Sequence, residues 1–137
     1  MSSFLYRLGD ALRRRAYGPD TGRLGEDIAH RYLRSRGCTV VSRNYRTHSG
    51  SGEIDLVAWH GPVLLFVEVK TRETAGFGSP AAAVDAEKRA RLEIAARDYA
   101  RRANIPWQRT RFDVVSIVLS HPPAVEWIPN AFRAPAP

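Results

Sequence analysis

The stretch Val63-Leu64-Leu65-Phe66-Val67 is wholly apolar and runs straight into Glu68-Val69-Lys70. A run this short, rich in branched and aromatic side chains, reads as a strand. Lacking polar alternates, it belongs in a sheet that other elements cover. Those elements can be read along the chain. From Thr21, a helix-capping residue, Leu24, Ile28, Ala29, Tyr32 and Leu33 recur at helical spacing until Gly37 stops them. Thr39–Tyr45 and Glu53–Trp59 read as strands joined by the turn-rich segment Thr47-His48-Ser49-Gly50-Ser51-Gly52. His60-Gly61-Pro62 turns the chain into the third strand. After a loop with Gly76 and Gly78, Ser79-Pro80 opens a long helix. Its inward stripe is Val84, Leu92, Ala95, Ala96, Tyr99 and Ala103, with Arg89, Arg91, Arg97, Arg101 and Arg102 mainly on other faces. Pro106 ends that helix. Arg111–Leu119 reads as a buried strand, His121-Pro122-Pro123 as a turn and Ala124–Ile128 as a short last strand before a proline-rich stretch from Pro129. The order is helix, three strands, helix, strand, strand: an α/β fold with a mixed central sheet flanked by helices.

The 137 residues suffice for one domain with a core, over 21–132, preceded by a lead-in over 1–20 and followed by a tail over 133–137. The lead-in sets Phe4, Leu5, Leu8 and Leu12 among Arg7, Arg13, Arg14 and Arg15, a basic amphipathic pattern. No apolar run approaches the roughly 20 residues of a spanning helix, which points away from membrane insertion and to the cytoplasm. Cys38 is the only cysteine and the four histidines are scattered, which excludes an intrachain disulfide and a Cys/His zinc site. A formal charge of +7 favours a polyanionic partner, nucleic acid before anionic lipid. Of 21 Lys and Arg residues only Lys70 and Lys88 are lysine. A chain that otherwise uses arginine has kept the compact ammonium at two places.

Three ionisable residues interrupt apolar strands. Asp55 lies among Ile54, Leu56, Val57 and Ala58, while Glu68 and Lys70, two apart, share one face of their strand. If the two strands are neighbours, Asp55 converges on Glu68. Paired carboxylates repel each other unless a cation neutralises them, and hard oxygen ligands suit Mg²⁺ or Mn²⁺. Such an ion polarises a phosphodiester and activates water, and Lys70 beside it would hold that water or steady the phosphate. The plainer alternative is a strand-end ion pair of Glu68 with Lys70 and a turn-capping Asp55. Glu53 is either a helper of the acidic pair or a solvent-exposed strand-start residue. Glu26, early in the first helix, is either a metal ligand or a carboxylate answering the helix dipole. Lys88 and Arg72 are candidates for phosphate contact or ordinary solvated charges. Asp113 reads as a hydrogen-bonded structural residue, and Tyr45 and Trp59 as core aromatics before base-stacking ones.

Gly25-Glu26, Arg43-Asn44-Tyr45-Arg46, Gly52-Glu53-Ile54-Asp55-Leu56-Val57 and Phe66-Val67-Glu68-Val69-Lys70-Thr71-Arg72 closely resemble the YraN-like family of predicted endonuclease-fold proteins. So do Phe77-Gly78-Ser79-Pro80, Ala83-Val84 with Lys88, and Arg111-Phe112-Asp113-Val114-Val115. That family is similar to the archaeal Holliday-junction resolvases of the PD-(D/E)XK superfold, also called restriction-endonuclease-like. The resemblance implies catalytic roles for Asp55, Glu68 and Lys70, and a metal site of Asp55, Glu68 and Glu26. Ile54 stands where the motif usually has proline. Arg43, Arg46, Arg72 and Lys88 are the candidate nucleic-acid contacts. The expectation is a Mg²⁺- or Mn²⁺-dependent endonuclease acting on DNA rather than RNA, on branched or damaged forms, with a homodimer left open. The alternative is a non-cleaving nucleic-acid-binding module of the same fold serving recombination or DNA uptake.

Overall fold

The computed structural model describes residues 21–74 and 86–137. The lead-in over 1–20 and the expected helix start at Ser79-Pro80 with Val84 lie outside them. The elements are α1 (Thr21–Ser35), β1 (Thr39–Arg46), β2 (Glu53–His60), β3 (Val63–Arg72), α2 (Ala86–Arg102), a 3-10 turn (Trp107–Arg109), β4 (Thr110–Val118) and β5 (Ala124–Phe132). They form one five-stranded sheet in the order β1-β2-β3-β4-β5. β3 and β4 run parallel, and the other neighbours pair antiparallel. Only the parallel pair needs a long crossover, and α2 lies in that connection.

β3 is the central strand, which accounts for its unbroken apolar run. Leu64 and Phe66 pack on one face with Ile54, Val57, Phe112, Val114 and the Leu92, Ala95, Ala96 and Ala100 side chains of α2. Leu65, Val67 and Val69 pack on the other with Leu56, Ala58, Val115, Ile117 and the Ala29 and Leu33 side chains of α1. Each face has its own helix, so neither set of alternates needs to be polar.

Close approach fixes where each helix lies. A Cβ added at Gly25 of α1 would fall 1.8 Å from Oγ1 of Thr71, near the end of β3. One added at Gly52, just before β2, would fall 2.7 Å from the Ala95 nitrogen and 2.9 Å from the Arg91 carbonyl oxygen of α2. Neither position has room for a side chain.

Four sequence expectations are corrected. The buried stripe of α1 is Gly25, Ala29 and Leu33, while Leu24 is 45% exposed. In α2 the last inward residue is Ala100 and Ala103 is exposed. Arg91, expected on an outer face, is buried, with its guanidinium on Glu87 at 3.3 Å. β5 runs on through Pro129 to Phe132. Proline is tolerated there because β5 is an edge strand, and the register shifts between Phe112 and Val114 where Asn130 adopts φ 50°. Asp113, fully buried, secures that irregularity. It accepts from Nε and a terminal nitrogen of Arg111 (both 2.8 Å), from Trp127 Nε1 (2.8 Å) and from the Asn130 amide (2.9 Å). Its structural reading holds.

Candidate metal and phosphodiester site

The antiparallel ladder between β2 and β3 runs from His60 opposite Val63 to Leu56 opposite Val67 and stops there. Asp55 is the next residue of β2, and its side chain takes over from the ladder: the Val69 amide donates to Asp55 Oδ2 at 2.8 Å. On the other side β1 shifts register between Val40 and Ser42 and then keeps it as far as Arg46. Arg43 pairs with Leu56 and Tyr45 with Ile54, and Asn44 between them sits at φ 52°. Ile54 and Val57 pack in the same core although three residues apart, which strict alternation forbids. Alternation of faces is therefore broken between Ile54 and Val57, and the Asp55 carboxylate fills the place where β2 and β3 part.

Glu68 and Lys70 continue the face of Leu64 and Phe66 that α2 covers, with Val114 and Ser116 as their β4 partners in register. Glu68 is 6% exposed, and the Lys88 ammonium of α2 stands 3.8 Å from its Oε1. Glu53 is also 6% exposed, so the expectation of a solvent-exposed strand-start carboxylate is corrected. Arg46 reaches one of its oxygens at 3.3 Å, and the other, Oε2, is buried without a hydrogen-bond partner among the described residues. The approach of α2 to Gly52 is what seals this end of β2.

Burial first, and then the negative charge of Glu68, hold the Asp55 carboxyl well above the usual aspartate range. Glu26 and Glu53 add to this from α1 and β2, and only the Val69 N–H opposes it. Three elements thus direct negative charge at one carboxylate, the arrangement that attracts a proton or a metal cation. Among the described residues no three His, Cys, Asp or Glu side chains form a ready-made metal cage. The donor set still suits a hard ion that keeps most of its waters, since Mg²⁺ commonly uses one or two carboxylates and completes its shell with water and phosphate oxygens. Asp55 Oδ1, the oxygen that the Val69 bond leaves over, and Glu68 are such donors.

The nominated phosphate contacts are dispersed. Arg43 pairs with Asp27 of α1 at 2.8 Å, Arg46 with Glu53, and Arg72 reaches Ser116 Oγ at 3.4 Å, while Lys88 faces Glu68 inside the acidic site. Tyr45 is engaged structurally. Its ring packs edge-on against Tyr99 with centroids 5.1 Å apart and its hydroxyl donates to Asp98 Oδ2 at 2.5 Å. Burial and then that bond push its phenol up to about 12. Trp59 packs against the α2-side core. Sequence reasoning did not foresee the Asp27 partner or the depth of Glu53. Asp27 beside Glu26 in the first helix was the available signal for the former.

A helix, three antiparallel strands, a second helix and a parallel fourth strand make this an α/β protein with a PD-(D/E)XK-like core. Among the described residues no helix is long and apolar enough to cross a membrane. The profile of the Uncharacterised protein family UPF0102 matches residues 25–117, a span that includes Glu26, Asp55, Glu68, Lys70 and Lys88. The chain is 61% identical over 132 residues to a UPF0102 protein of Solibacter usitatus, covering 96% of this chain and 100% of that one. It is 46% identical over 113 residues to one of Rhodococcus jostii (81% and 94% covered) and 42% identical over 116 residues to one of Dictyoglomus turgidum (82% and 97% covered). The chain belongs to the UPF0102 family, the YraN-like family that its motifs resemble.

Proposed function

We propose that this chain is a divalent-metal-dependent endonuclease that hydrolyses phosphodiester bonds in DNA, branched or damaged forms included, in the cytoplasm. The observation that carries this reading is the Asp55 carboxylate, held by the Val69 amide where β2 leaves β3, its pKa pushed up by burial and by the negative charges of Glu68, Glu26 and Glu53, in a chain of net charge +7. Elsewhere the chain is built to meet an anion, yet here it concentrates negative charge at the parting of two strands. Such a concentration is costly to the fold unless a cation belongs to it.

Asp55 and Glu68 would hold Mg²⁺ or Mn²⁺, with Glu26 contributing from α1. The ion, when bound, supplies a polarised phosphoryl oxygen and a water of lowered pKa. The remaining work belongs to the protein. The Val69 amide fixes the Asp55 carboxylate, so its free oxygen is aimed before substrate arrives. Lys70, on the Glu68 face, orients the attacking water and offsets charge that develops on phosphate. The water oxygen bonds to phosphorus as one ester P–O bond breaks, and the leaving oxygen takes up a proton. Arg43, Arg46 and Arg72 lend positive charge to the DNA backbone, which gives affinity without sequence preference.

The test is a panel of linear, single-stranded, flapped and four-way DNA incubated with Mg²⁺ or Mn²⁺, with Asp55→Ala as control. Cleavage of at least one substrate that Asp55→Ala abolishes supports the reading. Metal-indifferent binding without cleavage would overturn it in favour of a non-cleaving recombination or DNA-uptake module.

A further inference from the structure

Lys88 lies on the sheet-facing side of α2, one turn before Leu92, and its side chain is only 18% exposed. Its ammonium stands 3.8 Å from Glu68 Oε1, and the Glu68 side chain is itself 8% exposed. Lys70 lies two residues beyond Glu68 on the same strand face. Both lysines of an otherwise arginine-based chain therefore flank one buried carboxylate. The choice of residue has a physical meaning. A guanidinium would clamp a carboxylate through a planar two-point contact, whereas an ammonium on a flexible four-carbon stem is a point charge that can leave.

We propose that Lys88 is the resident counter-ion of the acidic site, a positioning residue that neutralises Glu68 until a divalent cation displaces it. This rests on the metal-dependent reading above. An empty acidic site would otherwise leave Glu68 and Asp55 repelling each other in partial burial. With Lys88 in place the apo fold is tolerated. The same contact makes Lys88 and the metal competitors for Glu68, so removing the ammonium strengthens metal binding. A merely structural ion pair would give the opposite result, since its loss would disturb Glu68 and weaken any metal site there.

Titration calorimetry with Mn²⁺ at low ionic strength and neutral pH, on full-length wild type, Lys88→Met, Lys88→Arg and Arg101→Met, tests this. Lys88→Met keeps most of the stem and removes the charge. Arg101→Met removes an equal charge from the same helix at an exposed site paired with Asp98. Lys88→Met is expected to bind Mn²⁺ roughly tenfold more tightly than wild type, a modest fraction of the coupling between unit charges about 4 Å apart. Arg101→Met should shift by less than about twofold, because exposed pairs are screened. Lys88→Arg should bind no more tightly than wild type. Unchanged or weaker binding in Lys88→Met, or an equal gain in Arg101→Met, would overturn the counter-ion role while leaving the metal site standing. Absence of Mn²⁺ binding by wild type, or binding undiminished in Asp55→Ala, would overturn both this inference and the reading beneath it.

Discussion

Asp55→Asn removes one charge from the acidic site and little else. The amide oxygen can still accept the Val69 N–H, now 2.8 Å from Oδ2, so the substitution isolates electrostatics from packing. In the absence of divalent ions the variant should be the more stable protein, because the half-buried wild-type carboxylate loses solvation and feels the negative charges of Glu68, Glu26 and Glu53. Relief of strain of this kind is worth about 1 to 2 kcal/mol, or roughly 3 to 10 °C in Tm for a domain of this size. The pH dependence has a definite sign. The folded-state pKa of Asp55 is raised above the ordinary value of 3.8, so the unfolded chain gives up this proton first as pH rises. Wild-type stability from this group is highest below about pH 4 and falls as pH climbs from there through the raised folded value. The variant lacks that fall, and its advantage opens across the same window. Adding Mn²⁺ should reverse the order. A ligand at 100 times its Kd stabilises wild type by about 2.7 kcal/mol, while the variant, deprived of one ligand charge, gains much less. Thermal unfolding followed by circular dichroism, with chelator and with excess Mn²⁺ across pH 4 to about 8, reads both effects. An Asp55→Asn protein less stable than wild type in chelator, or two proteins that gain equally from Mn²⁺, would refute the reasoning.

Lys70→Arg and Lys70→Ala should each lower single-turnover cleavage of saturated DNA by on the order of 10² to 10³, with affinity little changed; near-wild-type rates in both would remove Lys70 from the chemical step. Asp113→Ala strips the shared acceptor from Arg111, Trp127 and the Asn130 amide, and urea unfolding should show a loss of roughly 3 to 5 kcal/mol. A loss below about 1 kcal/mol would mean that β5 is held by its strand pairing alone. DNA affinity should fall steeply with salt, each neutralised phosphate adding about −0.9 to the log–log slope, and a flat profile would speak against nucleic acid as the partner.

Much of the architecture was legible because β3 carries apolar residues at both sets of alternate positions, which only a central strand with a helix on each face can bury. The face shared by Glu68 and Lys70 followed from the period of two. What the chain did not reveal depends on contacts between elements distant in sequence. Nothing local marks Arg91 as buried, since that depends on α2 lying against Gly52. The same approach buries Glu53 and brings Lys88 to Glu68. The continuation of β5 past Pro129 was hidden because proline signals a strand end unless the strand is at an edge and a remote group, here Asp113, takes the amide that follows. The break in alternation between Ile54 and Val57 was hidden for a related reason: Asn44 on β1 and the Val69 amide on β3 flank it, and neither is adjacent to it in the chain.

Gly25 and Gly52 each stand immediately before an acidic residue that bears on Asp55, namely Glu26 and Glu53. Each also marks a point where a helix meets the sheet side with no space for a methyl group. The spacing of the carboxylates is consequently set from outside, like the jaws of a vice set by two screws. Alanine at position 25 would press on the Thr71 side chain, which can rotate, whereas alanine at position 52 would press on the backbone of α2, which cannot yield without moving the whole helix. The two substitutions therefore provide a fine and a coarse adjustment of the spacing between the same carboxylates, without altering any of them.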